Sequence, residues 1–291
     1  MKKRIVQLVS TLCVACLLCG CDGGVGEVEK KDVLTDDAAV RVMSFNVCGW
    51  NYKELKHLAA KTILTYDPDT VGLQECSYDC YKGLTKDLPE YSFVGAGRDT
   101  GDLSKKSGES CGILYKTEKY TLVDSGTFWL SETPDEPSLG WDGDYIRICT
   151  WAILKDRVTG EEFAHVNTHL ENIDDGNGME ALKNGTQMVV DKALSFDMPV
   201  IVTGDMNFEK GTDYYSIMTA SGLRDTQDAA ENTMDGYTFH GFEETDPPEH
   251  IDYIFVSDRV PTVFTYKLVE DTFNGKYPSD HYPIYADLKF Q

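Results

Sequence analysis

Positive charge is what this sequence is short of. Lys and Arg number 27 against 49 Asp and Glu, for a formal net charge of −22. The bases are scattered among acids. Tight nonspecific binding of nucleic acid needs several Lys or Arg on one face, and a field this acidic repels polyanions at long range. Duplex DNA is therefore disfavoured as a substrate, while a site that gathers divalent cations suits the balance. Other absences narrow the field further. No internal repeat, second linker or low-complexity run is present, so one large domain is expected. No Cys/His spacing resembles a zinc site. The long apolar stretch, Ile5 to Leu18, is too short and wrongly flanked for a stable membrane span.

That stretch follows Met1-Lys2-Lys3-Arg4 and fits a secretory signal. It ends in Leu18-Cys19-Gly20-Cys21, which resembles a bacterial lipobox. Cleavage before Cys21 and lipidation of Cys21 would anchor the chain to a membrane, with Cys16 as a second candidate acceptor. An ordinary signal peptide is the alternative. The expected address is outside the cytoplasm, periplasmic or at the cell surface. Residues 22–39 carry Gly23-Gly24, Gly26, scattered acids and few large apolar groups. They read as a flexible acidic tether. The division is thus signal 1–20, tether 21–39 and a single globular domain 40–291. Loss of residues 1–20 takes away Lys2, Lys3 and Arg4 and leaves the remainder still more acidic. Beyond Cys21 stand Cys48, Cys76, Cys80, Cys111 and Cys149. An odd number cannot all pair within the chain.

The domain reads mainly as strands with a few helices between them. Strand patterns cover 41–47, 70–75, 91–94, 111–116, 120–130, 146–156, 162–170, 199–205, 237–242, 250–256, 263–268 and 282–290. Helical spacing covers Tyr52 to Tyr66, Ser77 to Asp87, Asn177 to Ser195 and Tyr214 to Ser221. Gly97 to Gly108 is a polar loop. Many strands are wholly apolar, which suits a layered α/β sandwich better than a regular βαβ repeat.

Chemistry gathers where strands end. The apolar run Pro199-Val200-Ile201-Val202 leads into Thr203-Gly204-Asp205-Met206-Asn207, so a carboxylate and an amide stand just past a core strand. Such a pair can grip and deprotonate a water molecule. Alone it would equally be an Asx turn. Asn46, Glu75 and His169 end strands in the same way, and Asp280-His281 precedes one. Asp252, between Ile251 and Tyr253, is a carboxylate in an apolar strand, and burying it is costly unless it is paired.

Taken together, Ser44-Phe45-Asn46-Val47, Gln74-Glu75, Asn167-Thr168-His169-Leu170, Gly204-Asp205-Met206-Asn207, Ile251-Asp252-Tyr253-Ile254 and Ser279-Asp280-His281-Tyr282-Pro283 form an ordered set. The set resembles the endonuclease/exonuclease/phosphatase superfamily, which includes deoxyribonuclease I, abasic-site endonucleases, sphingomyelinases, inositol polyphosphate phosphatases and deadenylases. The resemblance implies a deoxyribonuclease I-like four-layered α/β sandwich, two packed mixed sheets flanked by helices, and metal-dependent phosphoester hydrolysis. It implies that Glu75 and Asp280, with Asn46 nearby, hold Mg²⁺, Mn²⁺ or Ca²⁺; oxygen donors suit such hard cations. Asp205 would take the proton of the attacking water and Asn207 would hold the phosphate or water. His169 and His281 would donate to the nonbridging oxygens, with Asp252 pairing His281. In the deoxyribonuclease-like pattern Glu109 would support His169. Arg147 stands where the family often places a phosphate-binding base; half of a surface ion pair is the other reading. Motifs of phosphoinositide phosphatases and sphingomyelinases are missing, as are the DNA-inserting loops of abasic-site endonucleases. A small, lipid or sugar-like phosphoester is expected, with a nuclease, or a non-catalytic binding protein on the same fold, as alternatives.

Overall fold

A computed structural model describes residues 25–26, 28–34, 40–55, 57–106, 108–173, 176–243 and 247–290. The signal segment and Cys21 lie outside the described residues. Among the described residues no helix is long and apolar enough to cross a membrane.

The first strand, β1 (Val40–Asn46), is buried along its whole length because both its faces are covered. Val40 and Val42 point into the space between two sheets, and Met43 and Phe45 point toward helices on the outside. In chain order there follow β2 (Thr70–Gln74), β3 (Cys76–Ser77), β4 (Tyr91–Val94), β5 (Glu109–Ser110), β6 (Ile113–Lys116) and β7 (Tyr120–Trp129). Then come β8 (Ile148–Asp156), β9 (Glu162–His169), β10 (Val200–Asp205), β11 (Arg224–Asp225), β12 (Asp252–Val256), β13 (Thr262–Leu268) and β14 (Ile284–Lys289). One six-stranded sheet has the order β13-β14-β1-β2-β6-β4 and the other β11-β12-β10-β9-β8-β7. Both mix parallel and antiparallel pairs: β1 runs parallel to β2 and antiparallel to β14, while β10 runs parallel to β9 and antiparallel to β12.

Helices α1 (Tyr52–Leu55), α2 (Leu58–Tyr66) and α3 (Tyr78–Asp87) cover the outer face of the first sheet, and α4 (Met179–Leu194) and α5 (Asp213–Ala220) that of the second. A short α6 (Thr226–Ala229) follows β11. The layers are therefore helix, sheet, sheet, helix, as expected. Each fully buried Val, Leu, Ile or Phe contributes about 1.5–3 kcal/mol.

Between the sheets lies a polar seam. Asn167 donates from Nδ2 to the carbonyls of Leu73 (2.8 Å) and Gly112 (3.0 Å). Its Oδ1 accepts from Gln74 Nε2 (2.7 Å) and Thr203 Oγ1 (2.9 Å). His165 bridges Thr70 and Thr203 at 2.8 Å each. Asn167, bonded to Leu73, Gly112 and Gln74, and His165, bonded to Thr70, cross from one sheet to the other and so help fix how the sheets align.

Three expectations are corrected. The single helix over Tyr52 to Tyr66 is two, because His57 sits at φ 68° with its ring bonded to Asp87, and a left-handed residue cannot continue a right-handed helix. Residues 237–242 form no strand: Phe239 bridges singly to Glu249 and to His281, and Gly241–Glu243 is a 3-10 turn. Their hydrogen bonds go instead to the loops around the site, with the amide of His240 donating to the Asp280 carbonyl at 3.0 Å. Residues 28–34, expected to be part of a free tether, lie against the domain. Lys30 pairs with Asp67 and Lys31 with Asp271, both at 2.6 Å, and Asp32 accepts from Tyr285 at 2.8 Å. The two bases of an otherwise acidic stretch find acids on the body of the domain.

Candidate active site

The register of the central strands brings the predicted residues to one end of the sandwich. Asn46 closes β1 opposite Gln74, so Glu75 follows beside it. In the second sheet Asp205 is opposite His169 on one side and Asp252 on the other. Asp280 and His281 lie in the loop that enters β14, which runs antiparallel to β1. Asn46, Glu75, His169, Asp205, Asn207, Asp252, Asp280, His281 and Arg147 thus come together; most of them line a cleft of about 590 Å³.

Local backbone features hold this arrangement. Glu75 and Asn207 both adopt positive φ, 55° and 51°, a conformation costly for residues other than glycine and concentrated at functional sites. The Glu75 carbonyl passes so close to Gly49 that an added Cβ there would lie 1.7 Å from it. Ser279 donates to the Asn46 carbonyl at 2.7 Å and accepts from the His281 amide at 3.2 Å, pinning the β14 entry loop to the end of β1.

Asn46 is the hub. Its Nδ2 donates to Glu75 Oε1 (3.1 Å) and to Asp205 Oδ2 (2.9 Å), while its Oδ1 accepts from the Cys48 amide (3.1 Å). Asp205 Oδ2 also lies 3.4 Å from His169 Nε2 and 3.7 Å from His281 Nε2. Burial and the neighbouring Asp252 hold the Asp205 carboxyl above the usual range, against the pull of His281 and Asn46. His281 Nδ1 lies 2.8 Å from Asp252 Oδ2. Burial alone would lower the His281 pKa, but the Asp252, Asp205 and Asp280 carboxylates outweigh it and push it up to about 10. The ring is a cation at neutral pH, aimed at Asp205. His169 is the opposite case: burial, with Arg147, His281 and Arg98 nearby, holds it well below the ordinary histidine range. Two histidines flank one carboxylate, one charged and one neutral, set apart by their surroundings.

Asn207 sits beside Asp205, its amide donating to Asp205 Oδ1 at 3.2 Å and its Nδ2 to the Leu170 carbonyl at 2.9 Å. Glu109 departs from expectation. It does not reach His169; its Oε2 accepts from Arg98 Nη1 at 2.8 Å. The reason is its strand: β5 pairs with β3, Glu109 opposite Ser77, which puts it on the Glu75 side of the cleft. His169 Nδ1 is buried with no hydrogen-bond partner. Arg147 is 7% exposed, not half of a surface pair; its Nη2 meets Glu171 Oε1 (3.4 Å) and Asn172 Oδ1 (3.1 Å). Arg98, Glu171 and Asn172 were not singled out by sequence. The signal for the last two was their position directly after the His169 motif.

Glu75, Asp280 and Asn46 provide an all-oxygen donor set for a hard cation. Glu75 Oε2 is buried and has no hydrogen-bond partner. Burial and the Glu109 charge push the Glu75 carboxyl up to about 7, an unfavourable state that a bound cation relieves. The residues present therefore fit a divalent metal. Asp205, Asp252 and His281 also bring donor atoms within 4.8 Å of one another. There, however, Nδ1 of His281 is already engaged by Asp252, and this group reads as a hydrogen-bonded relay.

Solved structures share this architecture. The chain is similar to the endonuclease/exonuclease/phosphatase from Bacteroides vulgatus, 33% identical, covering 87% of this chain and 99% of that one, with a TM-score of 0.80. It is similar to a mannosyl-6-phosphatase from Bacteroides thetaiotaomicron, 31% identical over 86% of this chain and 100% of that one, TM-score 0.78. Among curated proteins, sphingomyelinase C 2 of Leptospira interrogans is 26% identical over 57% of this chain and 32% of its own length. The chain spans less than two thirds of the length of the first curated relatives it matches. The endonuclease/exonuclease/phosphatase family model matches residues 43–281, from within β1 to the histidine that faces Asp205, and the chain belongs to that family.

Proposed function

We propose that this chain is a divalent-metal-dependent phosphoester hydrolase acting outside the cytoplasm on a small, lipid or sugar-like phosphoester. The observation that carries the reading is Asp205, a buried carboxylate held by Asn46 and faced by the charged His281 and the neutral His169. Asp205 takes the proton of the attacking water, its raised pKa bringing it toward the working pH. His281, kept charged by Asp252, stabilises the negative charge that grows on the nonbridging oxygens. His169 adds a neutral donor on the opposite side, and Arg147 and Asn207 position the phosphate. Asn46, Glu75 and Asp280 would hold the metal, which when bound neutralises phosphate charge and stabilises the leaving oxygen.

The acidic balance of the chain and the mannosyl-6-phosphatase likeness both support a small substrate over duplex DNA. The extracytoplasmic address rests on the lipobox-like Leu18-Cys19-Gly20-Cys21. The test is turnover of a panel of phosphomonoesters and phosphodiesters, with Mg²⁺ and with EDTA. Hydrolysis of small esters that EDTA abolishes and Mg²⁺ restores is the expected result. Absence of turnover across the panel, with Mg²⁺, Mn²⁺ or Ca²⁺, favours a binding protein, and preference for duplex DNA favours a nuclease.

A further inference from the structure

Three large apolar side chains that stand exposed, Trp50 at 69%, Tyr145 at 48% and Ile173 at 41%, line the same cleft as the catalytic group. Exposed large apolar groups are unremarkable singly, but three at the mouth of one polar cleft form a surface with a use. They come from separate parts of the chain: Trp50 follows β1, Tyr145 precedes β8, and Ile173 follows β9.

Tyr145 is held firmly. Its amide donates to the buried Glu171 Oε2 at 3.0 Å. Its ring has the Arg147 guanidinium 5.0 Å away and the Arg98 guanidinium 5.8 Å away, within reach of cation–π attraction. The preceding loop is tied down as well, since Asp142 accepts from the Ala181 amide at 2.8 Å and the Glu180 amide at 3.2 Å, capping the start of α4. The ring is a preorganised wall.

We infer that Trp50, Tyr145 and Ile173 form a leaving-group platform, selecting a single phosphate carried on an uncharged, hydroxyl-bearing ring such as a hexose. This rests on the phosphoester reading above and names the substrate class for that site. A pyranose presents apolar C–H faces to aromatic rings and hydroxyls at its edge; Glu249 and Asn172 at the rim provide polar partners for them. Charge excludes a longer polyanion. Among the described residues that line the cleft, the guanidiniums belong to Arg98, bonded to Glu109, and Arg147, bonded to Glu171 and Asn172. No lysine lines it. A second and third phosphate of a nucleic acid strand would meet Glu109 and Glu249 in place of the basic groove that such strands require.

The experiment compares kcat/KM of the metal-loaded wild type, Trp50→Ala and Tyr145→Ala on glucose 6-phosphate or mannose 6-phosphate, on glycerol 3-phosphate, which lacks a ring, and on a dinucleotide. The platform predicts that wild type prefers the hexose esters. It predicts that each variant lowers the hexose-to-glycerol ratio about tenfold, the scale of one lost aromatic contact, chiefly through KM. Equal loss on both monoesters, or a wild-type preference for the dinucleotide, overturns the platform while leaving phosphoester hydrolysis standing. Failure of the wild type on all of them overturns both.

Discussion

His281 Nδ1 and Asp252 Oδ2 are 2.8 Å apart in a site where both residues are buried, so the Asp252 carboxylate gives the imidazole its reason to be charged. The His281 pKa is raised, to about 10, against the lowering effect of burial. A raised histidine pKa means that the cation is present below it and is lost as pH rises through it. Asp252→Asn removes the carboxylate, so the alkaline limb of log(kcat/KM) should move to lower pH, with a loss of about 10²–10³ in kcat. Combined with His281→Ala, the losses should be far from additive. An unmoved alkaline limb together with fully multiplicative losses would sink the pairing as a catalytic unit.

Glu75 is the test of the metal assignment. Glu75→Gln keeps the shape and the bond from Asn46 but removes a charge beside the orphaned Oε2. The Mg²⁺ concentration for half-maximal activity should rise at least tenfold. A titration superimposable on wild type would assign the metal elsewhere.

Gly72 lies in β2 against the polar seam. A Cβ there would stand 2.0 Å from Thr203 Oγ1 and 2.4 Å from Asn167 Oδ1, which are bonded to each other, and Asn167 Oδ1 also accepts from Gln74 across the sheets. Gly72→Ala should destabilise the fold by about 1–3 kcal/mol, the range for overpacking a buried site. Urea unfolding measures it, and an unchanged midpoint would show that the sheets can part without cost.

His165 gives the seam a pH dependence. It is fully buried between Thr70 and Thr203, and burial lowers its pKa from 6.5 to about 3. The unfolded chain takes up a proton below pH 6.5 that the folded chain refuses. Its contribution to stability is therefore complete above pH 6.5 and is lost as pH falls toward 3, by at most about 1.4 kcal/mol per pH unit. His165→Gln should flatten the fall in stability between pH 6.5 and 4, measured by urea titration. Parallel curves for variant and wild type would place the acid sensitivity in the carboxylates.

Cys21→Ala tests the address. Membrane fractionation and the mass of the mature N-terminus should both change, with the chain released or left unprocessed. No change in either would argue for an ordinary leader.

The sequence alone placed the candidate residues at strand ends, because an apolar run followed by a polar group is a local pattern. Period and composition also determined the layers: a strand that carries an unbroken apolar run, such as Val200 to Val202 in β10, must be covered on both faces. Partnership was decided only in three dimensions. Glu109 stands two residues before Cys111, yet its carboxylate goes to Arg98 and leaves His169 Nδ1 unpaired, because pairing with Ser77 turns it to the other wall. The strand pattern at 237–242 dissolved because Thr238 Oγ1 accepts from the Ile251 and Asp252 amides, a demand set by β12 and invisible in the local pattern. Trp50, Tyr145 and Ile173 are unrelated in sequence and line one cleft only because β1, β8 and β9 bring their flanking loops to one end of the sandwich. Periodicity reports which side of an element faces the core; which loop a given end will meet depends on strand register across the whole chain.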